Sequence, residues 1–509
     1  MHDFEWLLVL LVCAVALTGL ARRLKLPFPS LLALGGTAIA LLPNTPEFTL
    51  DPQLTLALFV APVLLDAAYD TSLRDLKRFW VPVMCLVVIA VGITTFAVAW
   101  LVHALVPAMP WAAAIALGAI VSPPDAAAAS AILKQLRIPH RMVVVLEGES
   151  LLNDATALII YRLAVTAAMG TTFTTGSIAF ETLAIIGSAL VGFLLAHVTM
   201  RVLKIITDVS SAIVIQFVTT FGIWILADEI GLSAIVTLVT FAITASRVNL
   251  GVTPARMRLP AYAVWETVVF VLNVLAFVLI GLQLGPIFSS LEGPQRMEYL
   301  RIAAAVLGAV VLVRLAWVFT YNRAAIIKKH FFGAGSWPGS YVPTLGGSLV
   351  ISWCGMRGIV TLAAAYALPP KFPFRELILL CAFCVVVGTL IVQGMTLRPL
   401  IRLLGLRDDG SVDEEVRAAH ATLAKIAAEI IDGDKSPTAH LLHDEFVTHH
   451  PTEADAATDS ARDARNKLRA KILSAQRQAL VRMLETAEIG DDAFHQIEER
   501  LDWSEVNVR

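Results

Sequence analysis

The chain has 509 residues, of which 57% are hydrophobic and only 16% charged, with a formal net charge of −2. Soluble domains carry about 25% charged residues, so this composition excludes a wholly soluble protein and predicts a polytopic all-α membrane protein with a smaller soluble part. No basic excess invites nucleic acid. The five cysteines (Cys13, Cys85, Cys354, Cys381 and Cys384) all lie in apolar segments, which argues against a disulfide framework or a zinc site, and no cofactor is expected.

A bilayer core about 30 Å thick requires roughly 17 to 25 apolar residues per helix. About thirteen such runs are read: 4–21, 27–43, 53–69, 80–106, 111–133, 142–169, 177–205, 210–227, 231–246, 262–286, 300–322, 343–368 and 376–401. The first has no basic leader or small-residue cleavage site, so it reads as a retained helix. The loops alternate in charge. Basic loops carry Arg22, Arg23 and Lys25; Arg74, Lys77 and Arg78; Lys134, Arg137 and Arg141; Arg201 and Lys204; Arg247, Arg256 and Arg258; Arg323, Lys328 and Lys329; then Arg398, Arg402 and Arg407. The loops between them are acidic, mixed or nearly uncharged. Lys and Arg collect on the cytoplasmic side, so an odd number of crossings puts the N-terminus outside and the C-terminus in the cytoplasm.

The fifth run contains Ser122-Pro123-Pro124-Asp125. Two adjacent prolines remove backbone donors and break the helix at membrane depth, which is tolerated where protein or a water-filled cavity receives the freed groups. In transporters such breaks mark the ion site. The sixth run carries Glu147 to Asp154, E-G-E-S-L-L-N-D, where charge is expensive and therefore a functional candidate. At helical spacing Glu149 and Asn153 share one face, Ser150 and Asp154 share another, and the two acids point about 140° apart. The eleventh run holds Arg314. The twelfth holds Ser352 to Gly358, S-W-C-G-M-R-G, in which Gly355 and Gly358 flank Arg357 and predict a second weakened helix. Corresponding interruptions in two halves of a chain signal inverted repeats.

Three acids and two arginines thus lie at membrane depth. The i, i+4 geometry assigns Glu149, with Asn153, as the partner of Arg314, a structural bridge that stays ionised. Asp154 and Asp125 remain for a small monovalent cation. A buried carboxylate without an arginine accepts either a proton or a hard cation on the same oxygens, and competition at a site exposed alternately to each side suffices for exchange.

From about residue 405 the chain becomes charged and helix-favouring. Val416, Leu423, Ile426 and Ile430, then Leu468, Ile472, Leu480 and Leu484, fall at helical spacing. This predicts a cytoplasmic helical tail over 405–509 behind a transmembrane domain over 1–404. Pro437 and Pro451 punctuate it, and Asp455 to Asp463 reads as a polar linker or helix start. His420, His440, His443, His449, His450 and His495 read as solvated and functionally silent.

These motifs, G-E-S-L-L-N-D-A (Gly148 to Ala155), S-P-P-D (Ser122 to Asp125), V-R-L-A-W-V (Val313 to Val318), W-C-G-M-R-G-I-V (Trp353 to Val360) and W-E-T-V-V-F-V-L-N (Trp265 to Asn273), are similar in order and spacing to the sodium/proton exchanger branch of the cation/proton antiporter superfamily. The resemblance covers residues 5 to 405. It implies a thirteen-helix inverted-repeat fold, a homodimer and elevator-type alternating access. It also implies that Asp154 carries cation and proton, with Ser150 and Asp125 completing the site. Glu149, Asn153 and Arg314 are implied as the supporting network, with Arg357 beside the second broken helix. An Asn-Asp pair resembles the electroneutral branch. The end of the tail, Arg482 to Val506, resembles tails of bacterial members and implies a bacterial inner membrane. One departure stands out: the family usually has Thr-Asp-Pro where this chain has Pro124-Asp125-Ala126, so a threonine oxygen is absent, for which Ser122 or a backbone carbonyl is the candidate substitute. Asp66 and Asp70 read as structural or interfacial.

Potassium/proton exchange is the nearest alternative, because size selectivity rests on geometry that a sequence does not display. An intramembrane aspartyl protease is a remote one, since Asp70 in A-Y-D has no G-x-G-D partner.

Overall fold

The computed structural model describes residues 2–42, 51–133, 136, 138–170, 175–250, 253–289, 293–332, 344–434, 442 and 459–506. Lys134, Arg137, Pro437, Pro451, His440, His443, His449 and His450 lie outside them. Among the described residues the structure is helical throughout, without strands.

Proline and short polar side chains set where helices begin. Pro27, Pro110, Pro139 and Pro254 stand just ahead of α2 (Phe28–Ala40), α6 (Trp111–Val121), α8 (His140–Ala168) and α12 (Ala255–Leu282). Asp51, whose carboxylate accepts from the Leu54 amide at 2.8 Å, opens α3 (Pro52–Tyr69), and Ser72 caps α4 (Leu73–Arg78). The remaining membrane-region helices are α1 (His2–Leu24), α5 (Trp80–Leu105), α7 (Ala126–Leu133), α9 (Thr175–Leu203), α10 (Val209–Glu229), α11 (Ala234–Asn249), α13 (Leu284–Ser289), α14 (Gly293–Phe332), α15 (Leu345–Trp353), α16 (Ile359–Tyr366) and α17 (Arg375–Leu403).

Seven helices among the described residues are long and apolar enough to cross a membrane, and Phe28–Ala40, Trp111–Val121 and Ala234–Asn249 are shorter apolar helices. The protein is therefore an all-α membrane protein. The expected tenth run differs at its start. Its helix begins at Ala255 and carries Arg256 and Arg258 inside it, because the Arg258 guanidinium is neutralised there by two tail carboxylates.

Packing divides the membrane helices into two bundles. α1, α2, α3, α10, α11 and α12 pack on one another, with α9 against α11. The second bundle comprises α5, α6, α7, α8, α14, α15, α16 and α17, with α4 against α5 and α8. The bundles meet mainly where α17 lies on α2 and α16 on α3. The tail forms α18 (Ser411–Asp432), α19 (Asp459–Glu485) and α20 (Asp491–Val506). It buries a separate apolar core, with Val416, Leu423, Ile472, Leu480, Phe494 and Ile497 among its members. Ile426 and Ile430 sit at the edge of that core.

Candidate functional site

The fifth run is broken where the prolines stand: α6 ends at Val121 and α7 begins at Ala126. The twelfth run is broken likewise, α15 ending at Trp353 and α16 beginning at Ile359. The two breaks meet. The Asp125 amide donates to the Met356 carbonyl at 2.7 Å, so each gap supplies the partner that the other lacks. A Cβ on Gly358 would collide with the Asp125 carboxylate, which therefore lies against the backbone of the second break.

Arg357 closes both broken ends. Its side chain is 1% exposed. Its Nε donates to the Val121 carbonyl at 2.9 Å and its Nη2 to that of Ser122 at 3.0 Å, while Nη1 donates to the Gly355 carbonyl. These carbonyls sit at or beside the C-terminal ends of α6 and α15, where helix dipoles leave partial negative charge, and a guanidinium supplies both the charge and the donors they need. Thr389 on α17 accepts the Arg357 amide at 3.0 Å, a contact with no signal in the sequence beyond a hydroxyl in an apolar run.

α8 passes beside this crossing. Glu149 takes two bonds from Arg314, at 2.5 and 2.8 Å, and Arg314 Nη2 also reaches the Ile351 carbonyl at 3.2 Å. Gly355 lets this happen, since a Cβ there would lie 2.5 Å from Arg314 Cδ and 2.9 Å from Arg357 Nη1. Asn153 donates from Nδ2 to the Pro124 carbonyl at 2.8 Å, tying α8 to the first break, and its buried Oδ1 has no hydrogen-bond partner among the described residues. Ser122 donates to Ala119 at 3.1 Å and is buried, as are Pro123 and Pro124. Ser150 is buried on the Asp154 face.

Asp154 is buried, and among the described residues no lysine or arginine pairs with it. Its charged neighbour is Asp125. A cavity of about 10 Å³ adjoins it, walled by Pro123, Tyr161 and Val360 among others. Leu158 borders both this chamber and a cavity of about 100 Å³ between the bundles, which reaches Gln53, Arg162 and Asp228. Glu149 is thus engaged by Arg314, while the Asp154 carboxylate, the neighbouring Asp125 carboxylate and the Asn153 carbonyl oxygen are candidate ligands for a hard monovalent ion. Among the described residues no cluster of three or more His, Cys, Asp or Glu side chains could hold a higher-valent metal. Asp66 and Asp70 lie apart, lining a cavity of about 370 Å³ within the first bundle.

Sequence reasoning missed the ion pairs at the tail. Asp75, buried at the start of the second bundle, accepts from His140 Nε2 at 3.2 Å, and His140 Nδ1 lies 3.2 Å from Asp492 of α20. His495, expected to be solvated, is half-buried and faces Glu498.

Residues 7–403 match the family described as "Sodium/hydrogen exchanger, transmembrane". The "Sodium, potassium, lithium and rubidium/H(+) antiporter" of Bacillus subtilis (strain 168) is 27% identical over 99% of this chain and 78% of that protein. The "Uncharacterized Na(+)/H(+) exchanger YjcE" of Escherichia coli (strain K12) is 31% identical over 82% of this chain and 80% of its own. Among solved structures, the sodium proton antiporter MjNhaP1 from Methanocaldococcus jannaschii superposes with a TM-score of 0.60 at 18% identity, covering 80% of this chain and 99% of that one.

Proposed function

The chain belongs to the sodium/hydrogen exchanger family, and from that premise we propose that it exchanges sodium, with lithium as a congener, for protons at Asp154. It is a secondary transporter and not an enzyme. The observation that carries the site assignment is the division of labour among the membrane-depth acids: Arg314 engages Glu149, whereas among the described residues Asp154 has no lysine or arginine partner and Asp125 as its charged neighbour, beside the crossing of two broken helices. One carboxylate that binds either a proton or a cation makes the exchange electroneutral, one for one. Ser150 and Asp125 complete the coordination, and Asn153 Oδ1 or a carbonyl of the Ser122–Pro124 turn takes the place of the family's threonine oxygen. Arg357 and Arg314 cap the carbonyls at the breaks, and Ser122, Pro123, Pro124, Gly355 and Gly358 shape them.

The reading extends to thirteen crossings over residues 1–404, supported by helix in each apolar interval. The halves carrying the two breaks are inverted repeats, and the two bundles move against each other to give alternating access. The N-terminus lies outside, residues 405–509 form the cytoplasmic tail, and the protein works as a homodimer in a bacterial inner membrane. Potassium/proton exchange is the second reading. It is favoured by the name of the Bacillus subtilis relative, which includes potassium and rubidium beside sodium and lithium.

Proteoliposomes carrying a pH gradient test this. Sodium or lithium should dissipate the gradient, the response should vanish in Asp154→Asn, and collapsing the membrane potential should leave it unchanged. Undiminished exchange by Asp154→Asn would remove Asp154 from the mechanism. A response to potassium alone would select the second reading.

A further inference from the structure

The tail grips both bundles at once. On the first bundle, Arg258 of α12 is 5% exposed and donates from Nε to Asp502 Oδ2 at 2.7 Å, with its Nη2 on the other Asp502 oxygen and its Nη1 2.8 Å from Glu498. Arg247 of α11 reaches Asp491 at 2.8 Å. On the second bundle, His140 of α8 meets Asp492 at 3.2 Å, Arg141 meets Asp409 at 3.4 Å, and Arg74 of α4 meets Glu415 at 2.9 Å. Asp491 and Asp492 are consecutive residues at the start of α20, and each is paired with a different bundle.

The two halves of the grip differ in burial. On the first bundle Arg258, Asp502 and Glu498 are nearly inaccessible and Arg247 is 28% exposed, whereas on the second Arg74 and Glu415 are 24% and 28% exposed, the Asp492 side chain 48% and that of Arg141 54%. Breaking a buried, hydrogen-bonded pair strands a charge in a poor solvent, whereas an exposed pair is readily replaced by water. The Arg258 contacts on the first bundle are therefore the hardest to break, and the Asp492 and Arg141 contacts on the second are the most readily released.

We propose that the tail is a clamp, anchored on the first bundle through Arg258, whose Glu415 of α18 and Asp492 of α20 hold the second bundle in one position and must let go of Arg74 and His140 before the bundles can move past each other. This rests on the reading of the chain as an alternating-access exchanger. Because the releasable bonds are charge pairs at the cytoplasmic face, the clamp sets how often the second bundle is free, while the ion site itself is untouched.

Crosslinks test it on the full-length chain with its five native cysteines replaced. One variant joins His140→Cys to Asp492→Cys, across tail and second bundle. The other joins Arg247→Cys to Asp491→Cys, across tail and first bundle. Each is bridged in proteoliposomes by a short reagent cleavable with dithiothreitol. The clamp requires the first bridge to slow exchange roughly tenfold or more, reversibly, and the second to leave it unchanged. Asp492→Asn, without any crosslink, should raise the rate about two- to fivefold, the range expected for losing one exposed pair. Two harmless bridges, or two equally inhibitory ones, would overturn the clamp, because each rate is compared with that of the same cleaved protein. Loss of the functional reading shows separately, as native chain that exchanges no cation.

Discussion

The buried Glu149–Arg314 pair offers the sharpest test of how this core is held. Glu149 is 1% exposed and Arg314 3%. Arg314 makes three bonds, at 2.5, 2.8 and 3.2 Å, yet its Nε is buried with no hydrogen-bond partner among the described residues. Removing one member strands the other charge in the protein interior, at a cost of about 3–5 kcal/mol. Removing both leaves only a packing change, and replacing a buried ion pair by apolar groups of similar volume is often neutral or stabilising by roughly 1–4 kcal/mol. The orphaned Nε places this pair toward that end, since the intact bridge already buries one unmet donor. Arg314→Met and Glu149→Leu should therefore each lower the apparent Tm of the purified protein in detergent substantially. The double variant should unfold close to the native chain, with a coupling of about 3 kcal/mol or more. Scanning calorimetry or intrinsic fluorescence of the four proteins measures this. Additive losses, with the double variant less stable than either single one, would refute the view that the cost lies in the unpaired charge.

Two further predictions concern the crossing and the tail. Gly358→Ala puts a Cβ onto the Asp125 carboxylate, so exchange should fall sharply while expression and tail docking persist, whereas Gly308→Ala, where a Cβ meets nothing within 4 Å, should be silent. Docking of α20 should also weaken in alkali. Hydrogen bonds to Asp492 and Asp75 push His140 up from 6.5 to about 10. Asp75 stays beside His140 when α20 leaves, so the docking stabilisation from its charge is the share due to Asp492, lost over the alkaline interval as pH rises through about 10. The groups around it are Asp75 with Arg74 behind it, Asp492, and across the adjoining cavity Asp70, Arg256, Glu266, Asp408, Asp413, His495, Glu498, Glu499 and Asp502. Amide hydrogen exchange at the start of α20, corrected for the intrinsic pH dependence, should show protection falling over that interval and a flatter profile in His140→Gln. An unchanged profile in the variant would assign the loss to another group.

Much of this protein was legible in the chain alone, for reasons that are local. Lipid forbids unsatisfied backbone and unpaired charge, so apolar runs announce membrane helices. Within them Pro123-Pro124 and the glycines around Arg357 mark breaks, and Glu149, Asp154 and Arg314 stand out as costly exceptions. Helical spacing separated the two acids onto different faces. What the chain could not display were contacts between distant segments. The Asp125 amide finds Met356, Arg357 reaches back to Val121 and Ser122, and Thr389 takes the Arg357 amide, because breaks more than two hundred residues apart are folded against each other. The tail misled most. Arg258 read as a loop cation and His495 as a solvated bystander, and His140 drew no reading at all, since a charge beside water costs nothing until another element covers it. Only the tertiary structure laid α20 over both bundles and turned those surface charges into a grip, because burial and partner identity are properties of packing and not of sequence neighbours.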